Sequence, residues 1–238
     1  MPSGERHLDW DGCCNARDLG GLRTVDGRET RRGAAVRADA PDRLTPAGWS
    51  ALRAHGIRTI VDLRNDEERP ASAEPGAAGL GTVHVPLDDA ADTEFWERCW
   101  AEGLDGTPLY YRPFLERKPE RCAAAVAAVA QARPGGVLFH CGIGRDRTGL
   151  VSMLLLALVG VAPDDIAADY ELSADRLRLH FARHGAEDPS PQELLARRNT
   201  TARAAILATL AWIDVAAQLR GAGLGADDLG AVRARLLG

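Results

Sequence analysis

The 238-residue sequence contains no Cys-x-x-Cys pair and no histidine cluster at zinc spacing. Nothing in it points to a metal ion, and no cofactor is expected. Its five cysteines, at 13, 14, 99, 122 and 141, are odd in number and irregular in spacing. That argues against a disulfide framework and for a reducing compartment. The vicinal pair Cys13–Cys14 cannot readily bridge without strain. No basic start leads into an apolar stretch, so neither a signal peptide nor an anchor is read, and a cytoplasmic location is expected. The longest apolar run, Leu150 to Ala162, is interrupted by Ser152 and too short to span a bilayer. Basic charge is not in excess, since the net charge is −5; nucleic acid is therefore not an expected partner. Internal repeats and low-complexity linkers are also missing, and one domain over residues 1–238 is the expectation.

What is present is 45% hydrophobic and 26% charged, enough for a well-buried core. "TPAGWSALRAHG" predicts a helix capped by Thr45, with Pro46 in its first turn and Gly56 as its stop. β-Branched "IRTIVDL" (57–63) follows as a strand, and "TVHVP" (82–86) as another. "ERCAAAVAAVAQA" (120–132) reads as an Ala-rich helix closed by Pro134-Gly135-Gly136, and "VLFH" (137–140) as a third strand. "TGLVSMLLLALVG" is apolar on most faces, as a helix buried on several sides must be. Pro163-Asp164-Asp165 opens a further helix, and the last quarter of the chain is nearly all helical. Alternating strands and helices indicate an α/β fold with a central, mostly parallel sheet flanked by helices. Residues 90–119, with Trp96, Trp100, Tyr110 and Tyr111, read either as a lid or as a packed helical insertion.

The stretch "HCGIGRDRTG" (140–149) carries the chemistry. A strand ending at His140, a seven-residue loop and a helix beginning near Arg147 make an anion-binding construction. Successive amides of Gly142, Ile143, Gly144, Arg145, Asp146 and Arg147 converge on one point, where the helix dipole adds positive potential. Gly142 and Gly144 are expected to let the backbone bend. At the base of this positive bowl Cys141 is in a setting that favours thiolate. Arg147 can return over the loop and grip two phosphate oxygens with its planar fork. Together they suit attack of sulfur on phosphorus, giving a cysteinyl-phosphate. Thr148 could donate to the sulfur and ease its departure, or merely satisfy the helix's first turn. His140 is expected to orient the loop without acting as a base. The bland reading of Cys141 is an inert buried thiol. Cys-x5-Arg-Thr on a strand–loop–helix frame argues against it.

These residues resemble the signature of cysteine-dependent tyrosine and dual-specificity phosphatases. More narrowly, "HCGIGRDRTG" is similar to the "HCxAGKDRTG" loop of the bacterial tyrosine phosphatase B family. "NARDLGG" (15–21), "VDLRNDEE" (61–68), "ADYELS" (168–173) and the closing "GLGADDLGAVRARLLG" match that family in order. The resemblance implies the cysteine-phosphatase fold with added C-terminal helices, no metal, and hydrolysis of phosphotyrosine, with phosphoserine, phosphothreonine or phosphoinositides taken by some members. Two departures bear on substrate choice: Arg145 stands where the family has Lys, and Ala16 where it has Phe. The segment between Asp89 and Cys141 is also short for a family that sometimes carries a long mobile lid.

A Pro-x-x-Asp acid in related phosphatases makes Asp89, three residues after Pro86, the first choice for general acid. Asp88 is its nearest rival, and a solvated acidic loop of Asp88, Asp89 and Asp92 is the bland alternative. Asp146, flanked by Arg145 and Arg147, is expected either to hold those guanidiniums or to act as an acid. The family match makes Asn15, Arg17 and Asp18 supports of the site floor, although "RDLGG" alone reads as a polar turn. Asp62 and Arg64 lie at a strand's C-terminal end, where α/β folds place ligands; a helix cap or a structural ion pair reads equally well. His55, His84, His180 and His184 follow no metal pattern. The leading function is a metal-independent phosphomonoester hydrolase acting on a phosphoprotein. Alternatives are a nucleotide, nucleoside, sugar or phosphoinositide phosphatase with the same mechanism, a silent phosphate-binding protein, and rhodanese-like sulfur transfer.

Overall fold

A computed structural model describes residues 6–71, 75–183 and 191–238 of the chain; His184 lies outside the described residues. Five strands form one sheet: β1 (Arg17–Asp18), β2 (Ala35–Ala38), β3 (Ile57–Asp62), β4 (Gly81–His84) and β5 (Gly136–His140). Their order is β1-β2-β5-β3-β4. β1 runs antiparallel to β2, and the remaining pairings are parallel. The helices are α1 (Pro46–Ala54), α2 (Thr93–Ala101), α3 (Tyr111–Arg117), α4 (Pro119–Ala130), α5 (Asp146–Leu158), α6 (Pro163–Arg183), α7 (Pro191–Arg197), α8 (Ala202–Trp212), α9 (Val215–Gly221) and α10 (Ala226–Leu237).

The helix expected after Thr45 forms as its residues dictate. The Thr45 hydroxyl accepts from the Gly48 amide at 3.2 Å, Pro46 is the first helical residue, and Gly56 turns the chain at φ +97°. β5 alternates across the sheet. Val137 and Phe139 enter a core shared with α4, α5, α9 and α10, while Leu138 enters a second core with Val36, Ile60, Trp49 and Leu52. Helix α5 is the centre of the first core, with every residue from Thr148 to Leu158 buried except Ala157. Its contacts with α4, α6, α9, α10, β2 and β5 explain why it shows no polar face.

Two strands went unread in the sequence. "RDLGG" is not only a polar turn, because Arg17 and Asp18 pair with Arg37 and Val36. β2 is four residues long and carries Arg37 fully buried at its centre, which hides the apolar signature of an inner strand. The loop after β5 is also shorter than the seven residues expected, since α5 begins at Asp146, an acidic residue suited to a helix's first turn.

The parallel register fixes where a site can form. Ala38 and Asp62 flank His140, and His84 is opposite Asp62, so four strands end along one edge. Residues 90–119 contribute α2 and α3, and the segment's Phe95, Trp96, Tyr110 and Phe114 rings stack edge-on or tilted; Trp100 is exposed. Among the described residues no single helix is long and apolar enough to cross a membrane. The burial pattern predicts that Leu154→Ala lowers unfolding free energy by about 2–5 kcal/mol, whereas Trp100→Ala changes it by under about 0.5 kcal/mol. Urea melts of the two variants would check the contrast.

Candidate active site

Cys141 is the first residue beyond β5 and is buried, only 3% exposed. The Thr148 hydroxyl, in the first turn of α5 and fully buried, donates to its sulfur at 3.1 Å. His140 is buried beside it, with Nδ1 3.0 Å from the Cys141 carbonyl oxygen and Nε2 3.9 Å from Asp62. Burial lowers the His140 pKa, against the pull of Asp62, so the ring is neutral and its Nδ1–H serves the loop backbone. Gly144 has φ +70°, and a Cβ there would come within 2.4 Å of the Ala38 carbonyl oxygen, so only glycine fits. Gly142 differs from expectation. It has no positive φ, and a Cβ would meet nothing within 4 Å, so the bend does not require glycine there.

Arg147 is held by Glu68, which takes Nη1 on one carboxylate oxygen and Nη2 on the other, the second at 2.6 Å. Asp88 lies 3.1 Å from Nη1. Burial opposes the guanidinium charge, but bonding to Glu68 and the nearby Cys141 and Asp88 outweigh it and raise its pKa. Glu68 was not singled out in the sequence, although it lies in "VDLRNDEE". It closes a short 3-10 turn, where its Oε2 also accepts from the Asn65 amide at 2.9 Å. Such a turn leaves no periodic signal.

The two adjacent aspartates point to different partners. Burial, reinforced by the charges of Glu68 and Asp146 and opposed by Arg147, pushes the Asp88 carboxyl up to about 6. Asp89, the first choice from the Pro-x-x-Asp pattern, is at φ +52°. Its Oδ2 accepts from Lys118 at 2.9 Å and its Oδ1 pairs with Arg121 at 3.0 Å. The left-handed backbone turns Asp89 toward α4 while Asp88 faces Arg147. Sequence spacing cannot see such a reversal.

Asp146 pairs with Arg145 at 3.3 Å and accepts from the Tyr170 hydroxyl at 2.8 Å, while the Tyr111 hydroxyl takes its carbonyl oxygen at 2.8 Å. Its carboxylate therefore braces Arg145, and the bonds to Arg147 come from Glu68 and Asp88 instead. Asp62 and Arg64 form a structural pair at 2.9 Å, extended to Asp42. Burial opposes ionisation of Asp62, yet bonding to Arg64 outweighs it and keeps the carboxyl low.

Beneath the loop, Asp169 of α6 receives Arg6 at 2.8 Å, Arg17 at 3.2 Å and Arg37 at 2.7 Å. Burial alone would raise this carboxyl, but three guanidiniums hold it far below the usual range. Asn15 donates to the carbonyl oxygens of Ile143 and Gly144 at 3.0 and 3.1 Å. Asp18 instead accepts from the Gly20 and Gly33 amides, outside the loop. Arg37 and Asp169 were missed as functional residues; the signals were an arginine inside an apolar "AVRA" and, for Asp169, its place in the family stretch "ADYELS". The Cys13 and Cys14 thiols both donate to Asp39, and burial followed by that carboxylate's charge raises both pKa values. Among the described residues no group of His, Cys, Asp or Glu is arranged to hold a metal ion.

Known proteins are similar in sequence to the chain that carries this strand–loop–helix. A Cupriavidus necator protein provisionally named as a tyrosine-protein phosphatase is 34% identical over 73% of this chain and 65% of its own length. A Nostoc commune tyrosine-protein phosphatase is 29% identical, over 66% of this chain and 56% of its own. The triple specificity protein phosphatase PtpB of Mycobacterium tuberculosis is 32% identical over 69% of this chain and 68% of its own. The chain thus spans less than two thirds of the first two relatives. With the sequence model of the tyrosine phosphatase family matching residues 8–238, the chain belongs to that family.

Proposed function

We propose that the protein is a phosphomonoester hydrolase that dephosphorylates phosphotyrosyl proteins through a cysteinyl-phosphate on Cys141. The observation that carries this reading is the Thr148 hydroxyl 3.1 Å from the Cys141 sulfur, at the foot of a loop whose Arg147 is already fixed by Glu68. The name of the tuberculosis relative adds a wider phosphoester range as the natural comparison.

In the first step the Cys141 sulfur attacks phosphorus as the ester oxygen leaves. The loop amides and the Arg147 fork bind the equatorial oxygens. Asp88, in its acid form below about pH 6, protonates the leaving oxygen. Its carboxylate then takes a proton from water, which attacks the phosphocysteine. Thr148 donates to the sulfur as the thiolate departs. Asp88 is preferred to Asp89 because its carboxyl faces Arg147 and is raised, whereas both Asp89 oxygens are engaged by cations. Arg145 is 4% exposed and braced by Asp146, so its part in the site is to shape the loop rim.

Hydrolysis of p-nitrophenyl phosphate should proceed in EDTA and fall by at least about a thousandfold in Cys141→Ser; activity surviving that change would remove the nucleophile assignment. A panel of phosphopeptides, phosphoinositides, nucleotides and sugar phosphates tests the substrate, and turnover confined to small phosphoesters would overturn the protein-directed reading. The pH profile tests the acid. For a poor leaving group kcat/KM should decline above about pH 6, as Asp88 loses its proton. Asp88→Asn should abolish that limb and cut turnover by about 10²–10⁴-fold. If Asp89→Asn did so instead, the acid role would pass to Asp89.

A further inference from the structure

The rear of the phosphate loop is unusually well supplied with donors. The Gly142 carbonyl oxygen accepts from the Ala40 amide at 2.8 Å, and that of Ile143 from Asn15 at 3.0 Å. The Gly144 carbonyl oxygen accepts from Asn15 at 3.1 Å and Arg37 at 2.9 Å, and that of Arg145 from Arg37 at 3.2 Å. Four consecutive carbonyls are thus drawn toward β2, the turn just beyond it and the chain before β1, with that of Arg145 also accepting from the Gly149 amide of α5 at 2.9 Å. In a trans peptide the following N–H points the opposite way. The amides of Ile143, Gly144, Arg145 and Asp146 are therefore turned outward together.

We infer that Arg37 is a positioning residue, which with Asn15 holds the loop carbonyls back so that the amides stand ready for an oxyanion before it arrives. This rests on the reading of the loop as the phosphate site. Several features separate it from simple core packing. Arg37 is completely buried at the centre of β2, a costly place for a guanidinium. Its Nε has no hydrogen-bond partner among the described residues, so the position is not optimised for stability. Its two terminal nitrogens do different work, with Nη1 on Asp169 and Nη2 on the Gly144 and Arg145 carbonyls. Asp169 thus aims the fork, and Arg17 secures the rest of the clamp by donating to the Asn15 Oδ1 at 2.8 Å. Lysine could supply a charge at position 37 but not a planar fork spanning both partners.

The test uses tungstate, a phosphate-shaped oxyanion whose binding requires no turnover. By calorimetry Arg37→Lys should weaken tungstate binding by about tenfold to a hundredfold and lower kcat on p-nitrophenyl phosphate to a similar extent. The pH limb assigned to Asp88 should stay near its wild-type position. Asn15→Ala should weaken tungstate binding in the same direction. A folded Arg37→Lys protein that melts lower yet binds tungstate like wild type would reduce Arg37 to a structural role and overturn the inference. Should the variants fail to fold, wild-type NMR decides. Tungstate should shift the backbone amides of 143–146 and leave the side-chain N–H signals of Arg37 and Asn15 in place. Side-chain signals that appear or move only with tungstate would mean that the clamp is not preformed, and overturn it. Arg37-dependent tungstate binding by a wild-type protein inactive on aryl phosphates would leave the clamp standing and remove the hydrolase reading. Active wild type with an indifferent Arg37→Lys would do the reverse.

Discussion

One buried carboxylate, Asp169, joins parts of the molecule that otherwise have little in common. It receives Arg6 from the N-terminal segment, Arg17 from β1 and Arg37 from β2 while belonging to α6. Removing one partner from such a network leaves unpaired charge in the interior, a loss of about 3–5 kcal/mol in comparable cases. Three guanidiniums share this single carboxylate, so the ground beneath the loop is positive. An anion above the loop would be attracted from below as well as by the amides and the α5 dipole. The short antiparallel β1 makes sense in this light, since its task is to deliver Arg17 and, two residues earlier, Asn15.

On the open side of the loop the charge has the opposite sign. Glu68, Asp88 and Asp146 all stand near Arg147 or Arg145. Burial first, and their mutual repulsion second, let one of them, Asp88, hold a proton up to about pH 6. Glu68 is pulled down because bonding to Arg147 and the Asn65 amide overcomes its burial. Asp88 is left as the group that is raised, by burial first and by those neighbours second. Two carboxylates in one environment thus separate into an ionised holder of the arginine and a group suited to carry a proton.

What could be read in the sequence follows from what is local in the structure. The β5–loop–α5 unit was legible because an apolar strand, glycines and an apolar helix are contiguous. The partner strand β2 was not, because the arginine that connects it to the loop broke its pattern. "NARDLGG" and "ADYELS" were recognisable as family stretches, but only folding brings Asn15, Arg17 and Asp169 into contact. Sequence spacing puts Asp89 ahead of Asp88 for a finer reason. Neighbours in an extended chain point to opposite sides, and here a positive φ at Asp89 adds a turn that spacing cannot reveal.

The last residue of "HCGIGRDRTG", Gly149, connects the site to the segment 90–119. A Cβ there would fall 2.5 Å from the Tyr111 hydroxyl and 2.9 Å from the Tyr170 ring, so any larger residue would push both tyrosines off α5. Those hydroxyls are the ones that bond the Asp146 carbonyl and carboxylate. Tyr111 belongs to α3, and Lys118 at the junction with α4 holds Asp89 and Asp92 at 2.9 and 2.6 Å. The segment therefore reaches the site from two directions, bracing the helix start through Tyr111 and the aspartate turn through Lys118. With Asp89 fixed by Lys118 and Arg121, the adjoining Asp88 is directed toward the arginine. On this geometry Asp89 anchors the turn that presents its neighbour to Arg147.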